Sequence, residues 1–312
     1  MIHLYGYHNV QKGAYSMNEL KWNERFNIGV DSIDKAHQRL FSIVAKLLSL
    51  NEDSAKQQHA CQEGIKYFKN YTIKHFADEE AYMKSINYSD FDIHKSLHDN
   101  LRDNTIPALE KEMESQNYSV ESVQHFLGFC IGWLNGHIMV EDHAITGRTT
   151  KKWVHQPSED KIVSLEKAIT QTLEHLFHVK PEIVSEHYSG EDFSSGNALC
   201  YRLLYTSSEG KRLQTYLLYE EQMILSILSV MLGKQITRID KTVTYAVKSM
   251  SQKFMDCISK HFVLTDDFQL QKTDLMTFEQ ITRTFDKQYP PYSLLFSTGQ
   301  NGYFAFCVTE GK

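Results

Sequence analysis

From Ile33 onward the apolar residues recur at helical spacing: Ile33, Leu40, Ile43, Val44, Leu47 and Leu48 share one face, and His37 falls on it too. A second helix is expected from about Ser54 to Lys84, with Cys61, Ile65, Phe68, Ile73 and Phe76 among its apolar positions. A third spans about Phe91 to Met113, and a fourth about Val120 to Asp142. Pro107 interrupts the third pattern and is expected to kink it, since proline has no N–H to donate and its ring crowds the preceding turn. Segments Asn51–Asp53, Asn87–Asp90 and Glu114–Ser119 are short and polar, as suits antiparallel neighbours. The pattern therefore predicts an all-α four-helix bundle of up-down-up-down topology over residues 21–145. Residues 1–20 have weak periodicity and read as a leader, with Met17 placed as an alternative start before the first domain.

After Asp142 the pattern changes. Thr146-Gly147-Arg148-Thr149-Thr150-Lys151-Lys152 is polar and basic, and Gln156-Pro157-Ser158 follows, so a linker is placed at 146–159. Beyond it, Ile162 to Phe177 reads as a helix. Strand-like runs at Ala198–Thr206 and Leu213–Tyr219 flank Ser-Ser-Glu-Gly, a hairpin signal. Gln222–Leu232 ends at Gly233 as a capped helix would, and a longer helix should cover Thr242 to Phe262. Alternation returns at Tyr292–Phe296 and Tyr303–Val308, with Gly299 to Gly302 as the turn. Residues 160–312 thus form an α+β domain, making the chain multidomain.

The 312 residues are enough for two domains of ordinary size, and the net charge of −6 excludes strong non-specific attraction to nucleic acid or membrane surfaces. Cys61, Cys130, Cys200, Cys257 and Cys307 lie far apart and form no C-x-x-C pair, which reads as reduced thiols in a cytoplasmic protein. The N-terminus shows no signal-peptide pattern, and Met223 to Leu232, the most apolar stretch, is too short to cross a bilayer.

Candidate chemistry concentrates in the first half, at His37, His75, Glu79, His94, His98, His137 and Asp142. His75 with Glu79, and His94 with His98, are four residues apart, so each pair shares a helix face. His137 and Asp142 are five apart, which demands a local widening or the end of the helix. Taken alone, His37 on an apolar face reads as an ordinary core histidine. Taken together, inward-facing donors on all four helices would be costly buried polar groups without a metal. Five imidazoles exceed what one tetrahedral zinc uses, and carboxylates can bridge, so the set describes a two-metal, di-iron site. Phe76, Ile33 and Trp133 are placed as apolar cover or as plain core packing. Glu80 reads as solvated, His125 as structural, and His143 as a surface or outer-sphere residue.

Four strings carry a resemblance: N-I-G-V-D-S-I-D-K-A-H ending at His37, H-F-A-D-E-E from His75, H-K-S-L-H from His94, and W-L-N-G-H-I-M-V-E-D from Trp133. With these, residues from Trp22 to about His143 resemble the bacterial hemerythrins, non-haem di-iron oxygen-binding bundles. The resemblance implies two Fe ions with dioxygen as ligand. One iron would take His94, His98 and His137; the other would take His37 and His75 and keep an open position; Glu79 and Asp142 would bridge them.

From about Asp160 the order of elements more weakly resembles the CheX-type chemotaxis domains, with M-L-G at Met231–Gly233 followed by a long helix. In that family the long helix carries an E-x-x-N motif that removes phosphate from the response regulator CheY. Ser249 and Gln252 stand at the corresponding positions here, and serine cannot supply the acid's charge, which puts phosphatase activity in doubt. A binding role towards a CheY-like response regulator or another signalling protein, or homodimerisation, stays open. Three functions are expected to compete: an oxygen or redox sensor signalling through the second domain, an oxygen carrier or store, and a di-iron enzyme acting on oxygen, peroxide or nitric oxide. Histidine richness favours reversible binding over the last.

Overall fold

The structure, a computed structural model, describes residues 22–50, 58–148, 161–190, 193, 197–259 and 268–311. The expected leader, the Asn51–Asp53 connection and most of the expected linker lie outside the described residues.

The first half is helical. A short 3₁₀ turn, Glu24–Phe26, precedes α1 (Asp31–Leu50), and the Asp34 carboxylate accepts the backbone N–H groups of Ile28 and Gly29 at 2.6 and 3.1 Å. α2 (Gln58–Ser85) ends in a turn at Asn87, whose φ is 51°. The third stretch is α3 (Phe91–Asn100), a π-helical turn at Leu101–Thr105, and α4 (Ile106–Ser115). Pro107 therefore acts within the first turn of α4, where a missing N–H is tolerated, and the interruption takes the form of a widened turn. α5 (Val120–Gly136), capped by the Ser119 side chain, runs into a second π-helical turn at His137–Asp142 and then the short α6 (His143–Ile145). α1 packs on α2, α2 on α3, α4 on α5 and α5 on α1, closing the bundle. Thr146 and Arg148, expected to begin the linker, instead fasten the end of the bundle to its start: Thr146 donates to Ile28 O at 2.8 Å and Arg148 to Asn27 O at 2.7 Å.

The second half begins with α7 (Lys161–Thr172), which ends in a third π-helical turn, Leu173–Phe177. Its strands are β1 (Glu182–Ser185), β2 (Ala198–Ser207), β3 (Arg212–Glu220), β4 (Phe268–Met276), β5 (Tyr292–Ser297) and β6 (Tyr303–Gly311). They form one antiparallel sheet in the order β1-β5-β6-β3-β2-β4. α8 (Glu221–Leu232) closes at Gly233, whose φ of 58° is the left-handed conformation that glycine adopts without a Cβ clash. α9 (Lys241–Ile258) and α10 (Phe278–Lys287) complete the set.

Alternation along the strands splits the sheet's two faces. Tyr201, Leu203, Leu217, Phe304 and Phe306 face one way and join the cluster that contains α9; Cys200, Tyr216, Leu218, Ala305 and Cys307 face the other, with Ile281 and Phe285 of α10. The α9-side cluster continues through α5 into the bundle, where Leu40, Val44, Phe68, Phe126 and Leu134 belong to the same apolar body. The two halves thus share one core. No described helix is long and apolar enough to cross a membrane.

Candidate metal centre

Four helical stretches deliver the seven candidate residues to one place. α1 brings His37, α2 brings His75 and Glu79 one turn apart, and α3 brings His94 and His98. His137 and Asp142 open and close the π-helical turn after α5. In an α-helix a residue five further on lies about 140° around the axis, whereas the wider π turn returns it to nearly the same face. The widening expected from the five-residue spacing is present. All seven residues are buried, the most exposed being His137 at 4%.

Their geometry is specific. The Nε2 atoms of His98 and His137 lie 2.9 Å apart, and those of His94 and His137 3.2 Å apart, forming a three-imidazole group. Each carboxylate divides its oxygens. Glu79 places Oε1 3.3 Å from His94 Nε2 and Oε2 3.2 Å from His75 Nε2. Asp142 places Oδ1 3.0 Å from His137 and 3.3 Å from His94, and Oδ2 3.2 Å from His37, all to Nε2. His37 and His75 stand together on the far side, ring centroids 4.8 Å apart. Two overlapping groups could each hold a cation, Glu79 with His94, His98 and His137, and Glu79 with His37 and His75.

The donor set fits a metal pair. Both oxygens of Glu79 and of Asp142, and His37 Nε2, are buried and make no well-aligned hydrogen bond despite the short separations. Buried carboxylates left so would be costly, and their lone pairs converge where cations would sit. Burial, then the neighbouring Asp142, pushes Glu79 up to about 7. For Asp142, burial pulls the other way but is outweighed by His137, His37 and His94, which hold it well below the usual carboxylate range. Against burial, Asp142 and Glu79 raise His94 to about 9, while burial and neighbouring imidazoles keep His75 and His98 low.

The surroundings are aromatic. Phe76 stacks on His98 at 3.8 Å with 5° between planes, and Trp133 stacks on His137 at 4.3 Å with 14°. Ile33 is buried on α1. Glu80 corrects the expectation of a solvated side chain: its Oε1 lies 3.3 Å from His98 Nδ1, and its side chain is only 15% exposed. A carboxylate there orients the ring and raises its basicity as a donor. The sequence signal was present, since Glu80 follows Glu79, but its partner comes from the neighbouring helix. His143 is buried, which removes the surface alternative. His125 is structural in a particular sense: it meets Glu112 at 3.0 Å and packs its ring on Tyr245 of α9 at 4.2 Å.

The two second-half positions lie apart from this centre. Ser249 faces Gly132 of α5, where an added Cβ would stand 2.6 Å from Ser249 Cβ and 2.9 Å from its Oγ. That face of α9 is covered by the bundle. Gln252 is half-buried on the same helix.

Comparison with known proteins falls into two parts. The hemerythrin HHE cation binding domain matches residues 28–148. The bacteriohemerythrin of Clostridium acetobutylicum is 30% identical over 125 residues, covering 39% of this chain and 94% of that protein. The hemerythrin subunit alpha of Lingula anatina is 30% identical over 128 residues, 41% of this chain and 92% of that one. Among solved structures, the chemotaxis protein CheX from Vibrio vulnificus aligns at 13% identity and a TM-score of 0.34, over 46% of this chain and 96% of its own. The CheX–CheY complex from Borrelia burgdorferi gives 11%, 0.36, 50% and 100% in the same terms. Hemerythrin-family proteins bind a di-iron centre, and the buried histidine and carboxylate cluster here can hold metal. Through its helical half, this chain belongs to the hemerythrin family.

Proposed function

We propose that this protein is a di-iron oxygen-binding sensor whose α+β half receives the state of the metal site. In this reading His94, His98 and His137 hold one iron and His37 and His75 the other, with Glu79 and Asp142 bridging. The observation that carries the assignment is the division of each carboxylate, one oxygen towards each histidine group. The unequal histidine count, three against two, supports an open position on the side of His37 and His75. Bound there, an iron pair supplies reversible capture of dioxygen. The protein's own part is to converge the histidine and carboxylate donors in one buried place and to exclude water with Phe76, Trp133 and Ile33.

Sensing rather than carriage is favoured by the shared core. A passive appendage would need no more than a tether, whereas α5, which leads straight into the His137–Asp142 turn, is packed along its length against α9. The order of elements in the second half supports a signalling partner such as a CheY-like response regulator, in the cytoplasm. With Ser249 facing the bundle, phosphate removal at this position of α9 is disfavoured.

The test is ferrous loading of the full chain followed by an anaerobic oxygen titration read by visible absorption. Two irons per chain with reversible oxygen uptake are expected. One metal per chain, or turnover of oxygen, peroxide or nitric oxide in place of reversible binding, would refute the reading.

A further inference from the structure

The two halves approach closely at three glycines spaced four apart on α5. A Cβ at Gly128 would stand 2.5 Å from Thr242 O and 2.6 Å from Tyr245 Cβ; one at Gly132 would stand 2.6 Å from Ala246 O. The third, Gly136, ends α5 immediately before the π-helical turn. There an added Cβ would stand 2.9 Å from Lys253 Cγ and 3.3 Å from Lys253 Cβ, so the stem of Lys253 lies flat across the helix. Its ammonium then reaches forward to Glu141 Oε1 at 2.7 Å. The Lys253 side chain is 21% exposed and that of Glu141 11%, so the pair is partly shielded from solvent.

Glu141 occupies the same π turn as His137 and Asp142 and directly precedes Asp142. A π turn packs less regularly than an α turn and persists where its surroundings select it. Here the register matters, because reverting to α geometry would swing Asp142 about 140° away from His137. Among the described residues, contacts from the second half to this region include Lys253 on Glu141, Leu176 O accepting from Asn135 Nδ2 at 3.0 Å, and the Leu173–Phe177 turn packed against it. The first contact acts within the turn itself, next to a carboxylate that faces both histidine groups.

We propose that Lys253 of α9 is a positioning residue for the metal centre: through its ion pair with Glu141 it fixes the π-helical turn that presents His137 and Asp142. The second half thereby sets the geometry of a site built wholly from first-half residues, and a displacement of that turn is passed to α9 by the same pair. This rests on the ligand assignment proposed above. Loss of a ligand's own hydrogen-bond partner typically changes metal affinity by about 10–100-fold, and Lys253, which acts through Glu141, is expected at the lower end of that range.

The full chain is compared as Lys253→Met, Lys253→Arg, Glu141→Gln and the double variant Glu141→Gln/Lys253→Met. Hydrogen–deuterium exchange of amides 137–142 is measured in the metal-free protein, and ferrous affinity by chelator competition. Lys253→Met should exchange at least about tenfold faster in this turn and bind iron at least about tenfold more weakly. Lys253→Arg should restore both to within about twofold, and the double variant should lose no more than either single one. Wild-type exchange and affinity in Lys253→Met would overturn the proposal, as would losses that sum in the double variant. If Lys253→Met fails to fold, the near-isosteric Glu141→Gln decides the same question. Failure of the wild-type chain to bind iron would overturn the ligand assignment, while the metal-free exchange data would still judge the ion pair.

Discussion

Replacing Gly132 by alanine tests the seam between the halves. The new Cβ would meet Ala246 O and Ser249 Cβ at 2.6 Å each, so backbone must move and no side chain can simply rotate aside. Restoring ordinary van der Waals contact parts α5 from α9 by roughly 1 Å. Overpacking of this kind costs about 1–3 kcal/mol. Alanine returns about 0.5–1 kcal/mol as a better helix former than glycine. The balance is a loss of up to about 2.5 kcal/mol, read by urea unfolding of the full chain. Gly64→Ala on α2 is the control, since its Cβ would meet only the end of the Leu47 side chain, at 2.5 Å from Cδ2. That variant keeps the helix-propensity gain and should be neutral or more stable by up to about 1 kcal/mol. If Gly132→Ala were as stable as Gly64→Ala, the close approach of α5 and α9 would be refuted.

His75→Ala should lose at least one of two irons and abolish oxygen binding; full iron content would sink its place in the site. Glu80→Ala should weaken iron binding by about 10–100-fold without changing metal stoichiometry, and an affinity within about twofold of wild type would remove Glu80 as the partner of His98. Cys61, Cys130, Cys200 and Cys307 are buried, and burial pushes the half-buried Cys257 up to about 12, so little thiolate exists at pH 8. A disulfide reagent should therefore label the native chain slowly and all five thiols after denaturation; rapid reaction of several native cysteines would contradict the packing.

The helices of the first half were legible because each presents a long apolar stripe, and the donor set because two of its pairs, His75 with Glu79 and His94 with His98, lie four residues apart. The five-residue gap between His137 and Asp142 called for a widening or a helix end, and the π turn is the first of these. What stayed hidden came from elsewhere in the chain. Lys253 pairs with Glu141 across 112 positions, and local periodicity carries no trace of that contact. Gly128, Gly132 and Gly136 do carry a signal: small residues at every fourth position of a helix buried on most sides imply a second helix pressed against it. β1 and β4 escaped because they are edge strands with mostly exposed residues, too polar to read as strands. α10 escaped because only Ile281 and Phe285 are buried along it, although Thr277 and Gln280 form a capping box. The hairpin β2–β3, the α8 stop at Gly233 and the Gly299–Gly302 turn were legible because each is marked by its own turn residues.

The continuous core has a consequence for cooperativity. With Leu40, Phe126, Phe254 and Phe306 in one apolar body, neither half can melt without exposing surface of the other. Metal bound in the helical half then stabilises the whole chain by mass action, since a ligand held only by the folded state shifts the entire unfolding equilibrium. Calorimetry should show a single transition that moves as a unit when iron is added, whereas two transitions with only one responding would deny it. Iron supply would thus govern how long the α+β half survives in the cell, so that metal held in one half sets the abundance of the other.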